Sequence, residues 1–217
     1  MKTVYSNELG ALVLLGYVSA TESYLRAVIR EIINNDEFAQ MRAESKEISF
    51  GAVVHSVDSK LLPEALLEGI SLAGARNVAR TLRELCGITG MSAEGPPTQL
   101  QNVFDEFAKI CHLRHCCTHR FGKLGSKQAL ELGISEHKEF LETPIKLTEK
   151  HLQDIGARLL AFVGSLNAYL FKDVLERTSG LVKNIGKTPF KYSHEWEKMK
   201  RKIKSIFQNF IEFSRAL

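Results

Sequence analysis

The chain has 217 residues, of which 44% are hydrophobic and 25% are charged. These proportions are typical of a folded globular protein, and they exclude a disordered or a fibrous chain. The net charge of +4 is too small to indicate a function, but it is unevenly distributed: residues 178–217 hold 9 basic and 3 acidic residues, a net +6, and residues 1–177 hold 20 basic and 22 acidic ones, a net −2.

The four cysteines do not have the spacing of a disulfide framework. Three of them, Cys111, Cys116 and Cys117, lie close together, and neighbours on one helix do not bridge each other easily. We therefore expect free thiols and a reducing, cytoplasmic location.

The first predicted element is an amphipathic helix over residues 7–35. Its apolar residues recur three, four or seven positions apart: Leu14, Val18, Tyr24 or Leu25, Val28 and Ile32. The run Leu9–Val18 resembles the apolar part of a secretory signal, but Glu8 precedes it and the helical pattern continues to Ile33. Since no stretch approaches the roughly 20 apolar residues that span a bilayer, we expect a core helix and no membrane contact.

Shorter elements follow in the middle of the chain. After a polar stretch, residues 50–57 predict a short helix. Apolar residues then recur at helical spacing from Pro63 to Leu85, with Gly69 and Gly74 as weak points, so that this segment is either one helix or two. Glycines and prolines between residues 87 and 97 mark a clear break.

The second half predicts two long helices and a basic arm. Thr98 and Gln101 form a capping box, which predicts a helix that runs to about Phe121. Residues 122–147 predict a loop with one short turn, and residues 149–177 predict a long core helix. The fold class is therefore all-α, a helical bundle over residues 1–177, followed over residues 178–217 by a linker and a C-terminal basic amphipathic helical arm.

Residues 111–121 have a composition that core packing alone would not select. They include three histidines, three cysteines and two arginines near a predicted helix end. Arg114 and His119 are five positions apart, which on an α-helix is about 7.5 Å along the axis and about 140° around it. A guanidinium suited to phosphate oxygens thus lies near an imidazole that exchanges protons around neutral pH.

These two groups suit the cleavage of RNA. RNA supplies its own nucleophile, the 2′-hydroxyl, so the protein has to accept its proton, protonate the leaving 5′-oxygen and stabilise the charged phosphorane. Acid–base assistance contributes about 10² to 10⁴ in rate, and a fixed cation a comparable factor. This chemistry requires no metal or other cofactor, and we expect none.

The motif from Arg114 to His119 resembles the signature of the HEPN superfamily, in which an arginine precedes a histidine by a few residues at the end of a long helix. His115 stands where family members usually carry a polar residue, and Glu22 and Gly122 also match the family's pattern. The resemblance covers roughly residues 7–177. It implies a HEPN-type bundle and a metal-independent endoribonuclease that leaves a 2′,3′-cyclic phosphate and a 5′-hydroxyl, with Arg114, His115 and His119 as its catalytic residues.

The resemblance also implies partners. HEPN nucleases act as homodimers in which two motifs face each other and form one composite site, and many are toxins or anti-phage effectors with an antitoxin or defence partner protein. Toxins paired with nucleotidyltransferase antitoxins carry a tyrosine two residues after the histidine, where it is modified. Phe121 stands at that position here, so that this control is not expected.

Four further residues are candidates for binding or support. Arg120 and Lys123, just past the motif, either hold the RNA backbone or are solvated charges. Glu22 either orients the arginine or histidine of the motif or is a solvated carboxylate. Thr118, inside the motif, is a second supporting candidate.

Two alternatives compete with the nuclease. His112, His115, Cys116 and His119 line one helical face and suggest a zinc site, although four ligands along one helix cannot close a tetrahedron without further groups. A non-catalytic module that binds RNA, a nucleotide or a partner protein would use Arg114 as a phosphate clamp.

Overall fold

The protein is a bundle built around three long helices. The computed structural model describes residues 4–48, 50–54, 58, 62–133 and 138–185. Within these ranges the helices are α1 (Val4–Asn35), α2 (Glu37–Glu44), α3 (Phe50–Val54), α4 (Leu62–Leu67), α5 (Ala75–Cys86), α6 (Gln101–His119), α7 (Ser126–Leu132) and α8 (Glu149–Ile185). The described residues contain no β-strand, so the predicted all-α class is confirmed.

Helix α1 lies at the centre of the core, against both α6 and α8. Its predicted apolar stripe is confirmed, because all of its members are buried: Leu14, Val18, Tyr24, Leu25, Val28 and Ile32. By length and composition alone, Asn7–Asn35 would be long and apolar enough to cross a membrane. This corrects the expectation that no stretch comes near that limit, although a buried core helix passes the same test.

The middle of the chain is more helical than its sequence predicts. Helix α2 occupies a stretch interpreted only as polar, and it begins where the Asp36 carboxylate accepts a hydrogen bond from the Ala39 N–H at 2.9 Å. The segment from Pro63 to Leu85 is two helices, α4 and α5. Arg26 of α1 fixes the turn between them by donating to the carbonyls of Leu67 and Ile70, at 2.7 and 2.6 Å.

Three boundaries in the second half differ from the prediction. The capping box does not form: Thr98–Leu100 are a 3₁₀ turn, and α6 begins at Gln101 without a side-chain cap. The predicted loop over 122–147 contains α7 and a 3₁₀ turn at Lys138–Phe140. Helix α8 continues to Ile185, past the predicted linker boundary at 177. The predicted basic helix that follows lies outside the described residues.

Aromatic stacking joins α6 to α8. The ring of Phe162 is nearly parallel to that of Phe107, with centroids 4.3 Å apart, and meets the edge of Phe104 at 5.1 Å. All three rings are buried. Such contacts add to the apolar burial that holds the two helices together.

A charged group is buried farther along α8. The Arg177 guanidinium lies 3.0 Å from the carboxylate of Asp36 and 3.8 Å from that of Asp173. It also donates to the Cys86 carbonyl at 2.8 Å, while Asp173 accepts from the Thr89 N–H at 3.1 Å. These contacts, here called the Arg177 cluster, connect α8 to the start of α2 and the end of α5.

Candidate active site

The predicted motif lies where α6 leaves the core. Phe104, Phe107 and Ile110 of this helix are buried, whereas Arg114 is half-buried and both His115 and His119 are exposed. The last turns of α6 therefore present the motif to solvent.

His115 and His119 form a pair of adjacent imidazoles. Their ring centroids are 4.7 Å apart with the planes tilted by 47°, as expected for side chains four positions apart on a helix. Arg114 lies near the His115 ring, since its positive charge contributes to lowering the pKa of His115. His115 thus interacts with both members of the predicted catalytic pair.

The pKa of His115 is below the usual histidine value. Partial burial is the largest cause, followed by the charges of His119, Lys127, Arg114 and His112. A lowered pKa favours the neutral imidazole, which accepts a proton. Lys127 belongs to α7, which the sequence predicted as loop, so its place beside the motif was not foreseen.

His112 lies half-buried in the same surroundings. Burial lowers its pKa and so does Lys127, while Glu131 of α7 opposes the shift. We call Arg114, His112, His115, His119 and Lys127 the motif cluster. Among the described residues, Glu131 is the one carboxylate that contributes to the pKa shifts of His112 and His115, and it acts on His112.

The zinc interpretation is not supported by the positions of its ligands. Cys116 is fully buried and packs with Leu124 and Ala129, away from the exposed imidazoles. In the part of the chain that the structure describes, no three His, Cys, Asp or Glu side chains are grouped so as to hold a metal ion.

The thiols beside the motif are packing groups. Burial raises the pKa of Cys111 to about 12 and also raises the pKa values of Cys116 and Cys117. A protonated, buried thiol is a poor nucleophile. The thiols are therefore left out of the candidate site, which consists of the arginine and the histidines.

The two supporting candidates have other contacts than expected. The Glu22 carboxylate accepts from the Leu72 N–H at 2.7 Å and lies 3.9 Å from Arg26, so it holds the segment before α5. Its charge and that of Arg114 both act on the pKa of Cys111, and its orienting role stays a prediction. The Thr118 hydroxyl donates to the Arg114 carbonyl at 2.9 Å, within the last turns of α6.

The two candidates for binding the RNA backbone differ. Arg120 forms an exposed ion pair with Glu142, a partner that an RNA phosphate would have to displace. Lys123 is exposed, and its ammonium forms no ion pair with any described residue. Lys123 and Lys127 are thus the lysines beside the motif that remain open to an anionic ligand.

The guanidinium of Arg114 forms neither a hydrogen bond nor an ion pair with another described residue. Half-buried arginines usually have a carboxylate or carbonyl partner, and the Arg177 cluster illustrates that arrangement in the same chain. A cation that has no partner among the residues the structure describes is suited to bind an anion.

Comparison of the chain with known protein families, with curated proteins and with solved structures gave no match.

Proposed function

We propose that the protein is a metal-independent endoribonuclease of the HEPN type and that the motif cluster is its active site. One observation carries the proposal: two imidazoles with centroids 4.7 Å apart lie beside a guanidinium that no described carboxylate neutralises. This combination provides proton exchange and anion binding at one exposed helix end.

Each group has a defined step in the proposed reaction. One imidazole accepts the proton of the 2′-hydroxyl while that oxygen attacks phosphorus. The bond from phosphorus to the 5′-oxygen breaks, and a second imidazole, in its protonated form, donates a proton to the leaving oxygen. Arg114 stabilises the negative charge of the phosphorane. The products are a 2′,3′-cyclic phosphate and a 5′-hydroxyl.

The lowered pKa of His115 suits the accepting role, because a neutral imidazole is the form that takes a proton. His119, at the end of the helix, then serves as the donor. His115 is therefore assigned the step of proton acceptor in this proposal, a specific role that the resemblance did not give it.

A homodimer with a composite site remains part of the proposal. The chemical need for it is weaker than the sequence suggests, because a single chain brings two imidazoles together. A facing copy would add a second guanidinium to the same phosphate.

Cleavage of end-labelled RNA in excess EDTA tests the proposal. We expect the wild-type chain to cut, and Arg114→Ala and His119→Ala to lose about 10² to 10⁴ in rate. Arg80→Ala on α5 and His151→Ala on α8 are matched controls, since both residues are exposed and distant in sequence from the motif. Their rates should equal the wild-type rate.

The product ends identify the reaction. Attack by the 2′-hydroxyl leaves a cyclic phosphate on one fragment and a 5′-hydroxyl on the other. Direct labelling of that 5′-hydroxyl by polynucleotide kinase supports this reaction. Cleavage that EDTA abolishes, or that either dead variant retains, refutes the assignment. RNA binding that depends on Arg114 without any cleavage would instead support the non-catalytic module.

Mixing the two inactive variants tests the dimer. If the composite site draws groups from both chains, a mixed dimer of Arg114→Ala and His119→Ala has one Arg114 and one His119 in its site. Each homodimer lacks one of these two residues entirely, so the activity of the mixed dimer should differ from that of either. Strictly monomeric light scattering at active concentrations refutes the composite site. Toxicity on expression that His119→Ala relieves would support a toxin or defence role.

A further inference from the structure

The ring of Phe121, two residues after His119, lies in solvent. It is 98% exposed, more than any other large hydrophobic side chain of the described residues. Isolated exposed hydrophobic residues are common and need no function. The backbone and the charges around this residue distinguish it.

Phe121 has a backbone conformation that bulky residues rarely adopt. Its φ of 53° lies in the left-handed region, which glycine or asparagine usually occupies at a helix end. The turn is fixed on both sides: the N–H groups of Arg120 and Gly122 donate to the Cys116 carbonyl at 3.0 and 3.1 Å, and the Ile145 N–H donates to the Gly122 carbonyl at 2.7 Å. These bonds fix the backbone that carries the exposed ring, and backbone strain of this kind concentrates at ligand sites.

The charges around the turn are positive. Arg120 and Glu142 neutralise each other. Lys123 follows within the turn, and Lys146 is the neighbour of Ile145, whose N–H is bound to the turn; both side chains are exposed. A turn that carries an exposed aromatic ring and exposed lysines with no ion pair among the described residues suits a ligand that has both a phosphate and a flat ring.

We infer that Phe121 stacks on an unpaired base next to the cleaved phosphate and is a base-binding residue of the site. This inference rests on the proposed function, since it assigns a specificity-determining side chain to that site. In an A-form duplex the bases stack on one another, whereas the bases of a single strand are free to stack on aromatic side chains. The exposed ring near His119 is suited to stack on a base of a single strand.

The test measures binding separately from cleavage. Single-stranded RNA that contains the fluorescent base 2-aminopurine is titrated into the His119→Ala chain, with and without Phe121→Leu or Phe121→Trp. Leucine has a comparable apolar character without a ring face, and tryptophan keeps one. Phe140→Leu is the matched control, because Phe140 is a half-exposed phenylalanine of the neighbouring 3₁₀ turn.

We expect Phe121→Leu to weaken single-strand binding about 5- to 150-fold, the range for one stacked base, and to lose the fluorescence quenching. Phe121→Trp and Phe140→Leu should keep both. Binding of a blunt RNA duplex should not respond to Phe121→Leu. In the active chain, Phe121→Leu should raise KM for single strands and leave kcat largely unchanged.

Three outcomes overturn the inference. The first is unchanged fluorescence quenching in Phe121→Leu, and the second is an equal loss of affinity for duplex RNA. The third is loss of a dimer while quenching is intact, which would assign the ring to a subunit contact. Failure of the proposed function is distinguishable. Quenching without cleavage by the wild-type chain refutes the nuclease and retains the stacking, whereas cleavage and binding that Phe121→Leu leaves unchanged refute the stacking alone.

Discussion

Two arginines of this bundle are placed under opposite conditions. Arg177 has a side chain only 14% exposed, and two carboxylates and a carbonyl surround it. Arg114 is half-buried at the end of α6. It forms no ion pair with a described carboxylate, and its charge contributes to the lowered pKa of His115. The first charge is neutralised inside the fold, and the second is not.

We interpret the first as a structural charge, and we propose the second as a functional one. A buried cation without a partner would cost several kcal/mol of desolvation, so the fold has to provide Asp36 and Asp173. At the exposed end of α6 water reduces that cost, and a cluster of like charges is tolerated there. An anionic ligand would stabilise it further.

The comparison is sharpest when each arginine is replaced by methionine. Arg177→Met should lower the free energy of unfolding by about 3 to 5 kcal/mol, because it leaves two buried carboxylates without their cation. Arg114→Met should change it by no more than about 0.5 kcal/mol while RNA cleavage is lost. Urea denaturation and the cleavage assay measure the two effects. Equal loss of stability in both variants would contradict the distinction.

Ligand binding should stabilise the protein through the motif cluster. A 2′-O-methyl RNA, which cannot be cleaved by this chemistry, at about 100 times its Kd adds about 2.7 kcal/mol to the free energy of unfolding. The gain should shrink as salt increases, because phosphate contacts are screened. Thermal melts of wild type, Arg114→Met and the control Arg80→Met measure it. The same gain in Arg114→Met would exclude this arginine from the binding surface.

Glu22 belongs with the structural charges on the evidence of its contacts. Glu22→Ala removes the acceptor of the Leu72 N–H and should cost roughly 1.5 kcal/mol of stability. Glu22→Gln keeps an acceptor and should cost less, and the folded fraction of either variant should cleave RNA normally. A loss of cleavage in Glu22→Gln as large as that in Arg114→Ala would restore the orienting role that the sequence suggested.

The parts of the fold that the sequence predicted are those with a strong period. The stripe of α1 from Leu14 to Ile32 and the long core helix after residue 149 follow directly from apolar spacing. Helix α2 has no such stripe and depends on Asp36 and on packing against α5. Gly180 did not end α8, because a glycine alone weakens a helix without stopping it.

The site was predictable where the chemistry lies within one helix. Arg114, His115 and His119 are neighbours along α6, so helical geometry alone brings the two imidazoles together. Lys127 and Glu142 could not be foreseen, since their positions depend on how residues 122–147 fold back onto the end of α6. For the same reason the ion pair between Arg120 and Glu142 was not foreseen.

The smallest expected effect is the pH dependence of stability. The pKa values of His112 and His115 are lowered in the folded chain, so between those values and about 6.5, the usual histidine pKa, the unfolded chain binds more protons than the folded one. The free energy of unfolding therefore rises as pH increases through this window and falls as pH decreases through it. Exposure of His115 keeps the slope shallow.

Urea denaturation between about pH 5 and about pH 7.5 measures this slope. His112→Asn should flatten it more than His115→Asn, because His112 is half-buried and His115 is exposed. Stability that falls as pH rises through the window would mean that a ligand or a carboxylate neutralises the motif cluster. Arg114 would then lie among neutralising groups, as Arg177 does.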